Sequence, residues 1–185
     1  RGSLIRPGVD ANAAYTEGVD LKTKGDCKAA VLKLRLPANI GPGYENAQTA
    51  LGDCLLKIAG TSDLSSDYLE GLTWLRRAAD AGFPEAQAVL ADAHANGPAA
   101  LRNFAEAAYW LALYDANSGK ARVGFIPYDP QALAAIRAKI PAADKAAAEK
   151  RAATWERKVW LPPTPAGGPG LRSRNVRIQQ QPGYN

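Results

Sequence analysis

The sequence predicts an all-α fold, and three observations support that prediction. Alanine-rich stretches alternate with short Gly, Pro, Asn and Asp breaks along most of the chain. Tyr68, Leu72, Leu75 and Ala79 recur at a spacing that places them on one face of a helix. No five-residue stretch alternates apolar and polar residues convincingly as a strand would. At 185 residues, the chain is long enough for one domain with a single core.

Both ends of the chain are set apart from the helical domain, which we predict at 10–160. Residues 1–9 are an N-terminal segment. Residues 161–185 hold nine Pro or Gly among 25 residues and no acidic residue, a composition that does not build a packed core. Three arginines there account for +3 of the net charge of +5, which leaves +2 for 1–160. The sequence therefore predicts an extended, basic C-terminal tail.

The first helical hairpin is predicted from Asp26 to about Leu36, with a return from Tyr44 to about Ala59. Its turn is the Pro- and Gly-containing stretch 37–43, where neither residue type continues a helix well.

The next helix is predicted to begin at Asp67, an N-cap with Glu70 three residues on, as in a capping box. Gly82 supplies its C-terminal stop, and Pro84 opens the following helix. Two closing helices are expected at about 130–139 and 142–159, the second with alanines that lead to Trp155.

Internal self-similarity is the most informative pattern. Segment 68–75 aligns with 104–111 at an offset of 36, with an aromatic residue, Glu, Trp and Leu in the same register. A second pair of segments, 43–52 and 82–91, aligns at an offset of 39. The two helices of a hairpin unit thus each recur at a similar period.

At these positions the chain resembles the Sel-one-like repeats, relatives of the tetratricopeptide repeats. The resemblance covers 43–119, about two repeats, and suggests a degenerate start around 10–36. It departs from the family pattern at Gly71, where alanine is usual, and is looser at Ala91 and at Asn96-Gly97. The matching positions are Asp67, Trp74, Ala78, Ala79, Gly82, Ala86 and Leu90, followed by Asn103, Ala107, Trp110 and Gly119. The resemblance implies a right-handed α-solenoid of stacked antiparallel hairpins, and it implies a role in binding proteins.

Packing physics favours the same architecture. Small residues such as Ala86 and Ala107 allow close helix approach, while Trp74 and Trp110 fill the gaps between neighbouring hairpins. A single hairpin cannot bury its apolar face alone, so stacking creates the core. The alternative is an irregular helical bundle whose alanines match by chance.

The two cysteines are expected to form a disulfide. Cys27 lies 13 residues before the centre of the predicted first hairpin and Cys54 lies 14 after it, so antiparallel helices place them side by side. In the chain-entropy model such a bridge is worth about 3–4 kcal/mol. The alternative is two buried free thiols. A disulfide indicates an oxidising compartment such as a bacterial periplasm, and the absence of any methionine is compatible with a removed signal peptide.

Catalytic and cofactor patterns are sparse, so we expect no enzyme and no cofactor. His94 has no second His or Cys at metal-ligand spacing, and no phosphate-binding or nucleophile motif occurs. Glu70 and Glu106 recur at equivalent positions but are explained as residues of capping boxes. Arg76 and Arg77 are candidates for an exposed binding surface.

The leading functional hypothesis is a protein-binding scaffold or adaptor, a subunit of a bacterial cell-envelope assembly whose tail docks on a partner. The alternative is a nucleic-acid-associated protein that uses the basic tail. Arginines could meet phosphates, although only one tail aromatic is available to stack on a base. The candidate partner-binding residues are Leu171, Arg172, Arg174, Val176, Arg177, Ile178 and Tyr184.

Overall fold

The computed structural model describes residues 7–164, and this part of the chain is all-helical. Its helices pack mainly against their chain neighbours from α1 to α6, after which α7 lies on α5 and α8 returns to α6. The helices are α1 (Pro7–Thr23), α2 (Cys27–Ala38), α3 (Glu45–Ala59), α4 (Ser66–Asp80), α5 (Pro84–Asn96), α6 (Phe104–Ala116), α7 (Pro130–Lys139) and α8 (Ala142–Ala152), with a 3₁₀ turn at Ser118–Ala121. No strand occurs between residues 7 and 164.

The first predicted hairpin matches α2 and α3 closely. The Asp26 carboxylate accepts the Ala29 N–H at 3.0 Å and caps α2. Pro37 lies in the last turn of α2, and Gly41 and Gly43 carry the chain into α3 with positive φ angles. The glycines of the predicted turn therefore separate these helices as the sequence predicts, whereas Pro37 and Ala38, which we had placed in the turn, continue α2.

The start of α4 differs from the prediction. Ser65, not Asp67, is the N-cap, and its hydroxyl accepts the Tyr68 N–H at 3.2 Å. Glu70 consequently lies one turn inside the helix. There its two carboxylate oxygens accept hydrogen bonds from Nη1 and Nη2 of Arg35 in α2. The prediction of a capping box with Glu70 is therefore wrong, because the Glu70 carboxylate forms an ion pair with another helix.

The corresponding expectation at α6 is half right. Asn103 is the N-cap and accepts the Glu106 N–H at 3.1 Å. However, the Asn103 N–H donates to the carbonyl of His94, and the Glu106 carboxylate binds Arg151 of α8 at 2.6 Å. Glu106 therefore joins α6 to α8 and does not complete a capping box.

Gly82 ends α4 as predicted. Its φ of +89° is the left-handed conformation that glycine adopts most readily. The Gly82 N–H donates to the Ala79 carbonyl and the Phe83 N–H to the Ala78 carbonyl, which is a Schellman motif. Pro84 then lies in the first turn of α5.

The core consists of two clusters of buried apolar residues. The first lies between α2 and α3 and includes Trp74 of α4, which is 5% exposed. The second is built from α4 to α8 and includes Trp110, which is 1% exposed. The structure also buries the other apolar residues that we assigned to the repeat core, namely Ala78, Ala86, Leu90 and Ala107.

Helices α3 and α4 approach each other through glycine. A Cβ atom placed on Gly52 would lie 2.7 Å from the carbonyl oxygen of Gly71, and one on Gly71 would lie 2.9 Å from that of Gly52. The departure from the family pattern at Gly71 therefore lies where two backbones touch.

The last helix ends earlier in the chain than the predicted residue 159. Helix α8 stops at Ala152, before Trp155, and the described chain continues without regular structure to Thr164. The last described residues instead fold back onto earlier helices.

Candidate functional site

Residues 155–164, which we call the strap, run from the end of α8 back across the C-terminal end of α4 to the turn between α2 and α3. Their contacts are made by three side chains, Trp155, Trp160 and Pro162, and by donors at two further residues. The strap lies on a helical surface that is built from distant parts of the chain.

The first contact is at the end of α4. The Lys158 N–H donates to the Asp80 carbonyl at 2.8 Å, and Arg157 Nε donates to the Ala81 carbonyl at 2.9 Å. These carbonyls belong to the final turn of the helix, where no intrahelical donor remains for them. Trp155 covers Gly82, where an added Cβ would lie 3.3 Å from its ring.

The second contact is a stack of two tryptophans and one arginine. The guanidinium carbon of Arg77 lies 4.5 Å from the ring centre of Trp74 and 4.0 Å from that of Trp160. The two indoles also meet edge to face, with ring centres 5.5 Å apart. Burial lowers the pKa of Arg77, but a guanidinium stays charged in proteins, so both rings contact a cation.

The third contact is at Gly41 in the turn between α2 and α3. A Cβ on Gly41 would lie 2.8 Å from Pro162 Cδ and 3.4 Å from the Trp160 carbonyl oxygen. Gly41 has a φ of +99°. Gly82 at the end of α4 and Gly41 in the α2–α3 turn therefore both leave room for the strap. We call the surface formed by Gly41, Trp74, Arg77, Gly82 and the Asp80 and Ala81 carbonyls the cradle.

Two carboxylates near the cradle face cationic side chains, Glu70 with Arg35 and Asp80 with Arg76. Glu70 accepts from Arg35 and also from Trp74 Nε1 at 3.4 Å, and the hydrogen bond from Arg35 is the main reason that the pKa of Glu70 is lowered. Burial raises the pKa of Asp80, opposed by Arg76 and Lys158. The Glu70 pair also fixes Trp74 beneath the strap.

A second surface is an open groove of about 810 Å³ between α1, α3, α5 and the loop 122–128. Asp53 pairs with Lys22 at 2.9 Å and with Lys57 at 3.0 Å. Glu85 binds Arg122 and accepts the Ile126 N–H at 3.3 Å, so the loop is fixed to α5.

The loop beside this groove presents apolar side chains to solvent. Val123 is 99% exposed and Ile126 is 73% exposed. Tyr128 anchors the end of the loop, where its hydroxyl donates to Asp92, and burial raises its pKa strongly. The contacts of Glu85 with Arg122 and of Asp92 with Tyr128 hold the loop in place.

The cysteines lie where the sequence predicts. Cys27 and Cys54 are at disulfide-bonding distance, with Cα atoms 5.1 Å apart. Cys54 is fully buried in the α2–α3 cluster. A covalent link here joins the first residue of α2 to α3.

His94 is half-buried near the end of α5. Its Nδ1 lies 3.5 Å from the Leu101 carbonyl oxygen, and burial lowers its pKa. Within residues 7–164, no group of three or more His, Cys, Asp or Glu side chains is arranged to hold a metal ion. In the same part of the chain, no helix combines the length and apolar character needed to cross a bilayer.

The predicted partner-binding residues of the tail lie outside the described residues. They are Leu171, Arg172, Arg174, Val176, Arg177, Ile178 and Tyr184. The strap was missed by sequence reasoning because Trp155 was assigned to a helix end. The signal for it was two tryptophans in a stretch of charged residues that ends in consecutive prolines.

Comparisons of the chain with protein-family models, with curated proteins and with solved structures return no significant match.

Proposed function

We propose that this protein is a non-catalytic scaffold that binds other proteins. The observation that carries the proposal is that its helical surface holds an extended polypeptide segment, the strap, through side-chain stacking and helix-end carbonyls. Such contacts suit extended peptides because they use backbone N–H donors, which every residue except proline offers, together with large apolar side chains that provide specificity.

The architecture we propose is a right-handed α-solenoid of stacked hairpins, related to the Sel-one-like repeats, with α7 and α8 as its cap. Consecutive packing of α1 to α6 supports it. Gln48 of α3 and Gln87 of α5 support it further, since they follow the aligned Ala47 and Ala86. Each glutamine is at most 2% exposed and donates at 3.3 Å to a carbonyl near the end of the preceding helix.

The proposed setting is a bacterial cell-envelope assembly in the periplasm. A cysteine pair at disulfide distance favours an oxidising compartment. Pro162, the second residue of the predicted tail, lies beside Gly41 in the α2–α3 turn. We propose that Leu171, Val176 and Ile178 contact an apolar partner surface while the tail arginines pair with carboxylates.

The experiment is co-purification of the tagged full-length chain from its native source, with mass spectrometry of proteins retained at stoichiometric amounts. The change of Leu171, Val176 and Ile178 to serine should remove the partner, as should deletion of 165–185. The melting temperature should be unchanged in both variants. The matched control changes the neighbouring Gln179, Gln180 and Gln181 to serine and should retain the partner.

The competing outcome is a nucleic-acid-binding protein. In that case only the changes of Arg172, Arg174 and Arg177 would matter. Nuclease treatment would release the bound material, and binding to duplex or single-stranded nucleic acid would fall steeply with salt. Retention of the same protein partner by the serine variant and the deletion would also refute the proposed role of the tail.

A further inference from the structure

The cradle has the properties of a peptide-binding site that the chain fills with its own segment. It offers two places for large aromatic side chains five positions apart, at Gly82 and at the Arg77–Trp74 stack. Between them it offers two carbonyl acceptors at the end of α4. We propose that the cradle binds an extended segment of a partner protein with this pattern, and that the strap is its resident competitor.

The cradle is built independently of the strap. Gly82 is held by the Schellman bonds of α4, from the Gly82 and Phe83 N–H groups to carbonyls of the same helix. Gly41 belongs to the α2–α3 turn, where the Tyr44 N–H donates to its carbonyl at 3.1 Å. Trp74 belongs to the buried α2–α3 cluster, and its Nε1 donates to the Glu70 carboxylate. The surface therefore keeps its shape when the strap leaves, and a preorganised site favours binding.

The strap, by contrast, lies on the outside of the helical domain. Trp155, Trp160 and Pro162 are half-buried, and every other residue of 155–164 is exposed. Val159 is 40% exposed and Leu161 64%. Segments with few buried contacts open locally at much lower free-energy cost than a core helix. The strap can thus dissociate from the cradle while the helices stay folded.

The chemistry of the strap defines the ligand. The anchoring positions are a tryptophan or another large aromatic residue, a second one five residues later, and a proline two residues after that. Glu156 and Lys158 have exposed side chains, so their positions tolerate other side chains, apart from a required backbone N–H at the position of Lys158. At the position of Arg157, a side chain that donates to the Ala81 carbonyl is favoured. A proline at the position of Lys158 would remove the donor and would be rejected.

This inference rests on the proposed scaffold function but concerns a different surface from the tail. A partner that docks on the tail would be captured by the wild-type chain even if the strap never opened. Conversely, an exchangeable strap would be measurable in the purified protein even if no tail partner existed. The two proposals therefore fail in different experiments.

The first test is hydrogen exchange in the full-length protein. The Lys158 amide, bonded to Asp80, should exchange at least about tenfold faster than the Phe83 amide, and its rate should depend little on low concentrations of urea. Equal rates with the same urea dependence for both amides would show that the strap opens only when the protein unfolds. That result would overturn the proposal.

The second test adds the strap in trans as a labelled synthetic peptide of residues 154–164. The Trp160→Ala variant of the full chain should bind the peptide at least about tenfold more tightly than wild type, because the cradle is then less occupied by its own segment. The Val159→Ala variant is the matched control and should behave as wild type. A peptide with alanine at both tryptophan positions should not bind.

Far-UV circular dichroism establishes that the Trp160→Ala variant is folded before binding is measured. Equal affinity of that variant and wild type for the peptide would overturn the proposal, as would no detectable binding to either. If the variant does not fold, the exchange measurement on the wild-type protein decides alone.

Discussion

Replacement of Trp110 by alanine should destabilise the protein by about 4 kcal/mol. Trp110 is the largest of the fully buried side chains, 1% exposed in the cluster of α4 to α8. Burial of a tryptophan removes roughly 150–250 Å² from water, worth about 4–6 kcal/mol at 25 cal/mol per Å². Alanine keeps a small part of this, and measured costs of such truncations are about 3–5 kcal/mol.

The edge-to-face contact with Tyr109, with ring centres 5.1 Å apart, adds about 0.5–1.5 kcal/mol to what the truncation removes. The assay is equilibrium unfolding in urea followed by far-UV circular dichroism, since tryptophan fluorescence itself changes with the variant. Val123→Ala is the control, and its cost should stay within about 0.5 kcal/mol because Val123 is 99% exposed.

A cost below about 1 kcal/mol for Trp110→Ala, with an unchanged urea dependence, would refute the reasoning. It would mean that the indole does not fill the space between α6 and its neighbours. The same measurement on Trp74→Ala should give about 3–5 kcal/mol, because Trp74 is 5% exposed and closes the other cluster.

Three further predictions concern the disulfide, the α3–α4 contact and the effect of acid. Alkylation of the denatured, unreduced protein should find no free thiol at Cys27 or Cys54, and quantitative modification of both would exclude the bridge. Gly52→Ala should lower the melting temperature, because the added Cβ would lie 2.7 Å from the Gly71 carbonyl oxygen. An unchanged melting temperature would show that α3 and α4 can move apart without loss of stability. The hydrogen bond from Arg35 lowers the pKa of Glu70 below its ordinary 4.5, so the stability from this pair is present above that value and is lost as pH falls through the lowered one. Glu70→Gln should therefore reduce the loss of stability as the pH falls below 4.5, and an identical loss in both proteins would contradict the assignment.

The sequence predicts the helices whose ends are determined locally. Asn103 caps α6 and Gly82 ends α4 as expected, because each acts through backbone groups a few residues away. Asp67 failed as a cap since Ser65 is an equally suitable residue two positions earlier. The choice between them involves the pairing of Glu70 with Arg35, which lies on another helix.

The cradle could be predicted only in parts. Trp74 and Gly82 were recognised as repeat-core residues, and Arg77 as a surface residue. Their common role depends on Trp155 and Trp160, which reach them only after the chain folds back from α8. Alanine-rich composition predicted a longer α8. The Lys158 N–H, however, donates to the Asp80 carbonyl of α4 and makes no hydrogen bond within a helix. A contact between such distant segments leaves no periodic pattern in either of them.

The route of the strap also determines how the molecule would carry mechanical load. A pull on the chain beyond Thr164 reaches the body first at Pro162 and Gly41, in the α2–α3 turn, and only afterwards at α8. To detach the strap, the pull must separate Trp160 from Arg77 and then Lys158 from Asp80, one contact after another. The hairpin that receives this force holds Cys27 and Cys54 at its opposite end. A covalent bond there would keep α2 and α3 together after the strap had peeled away.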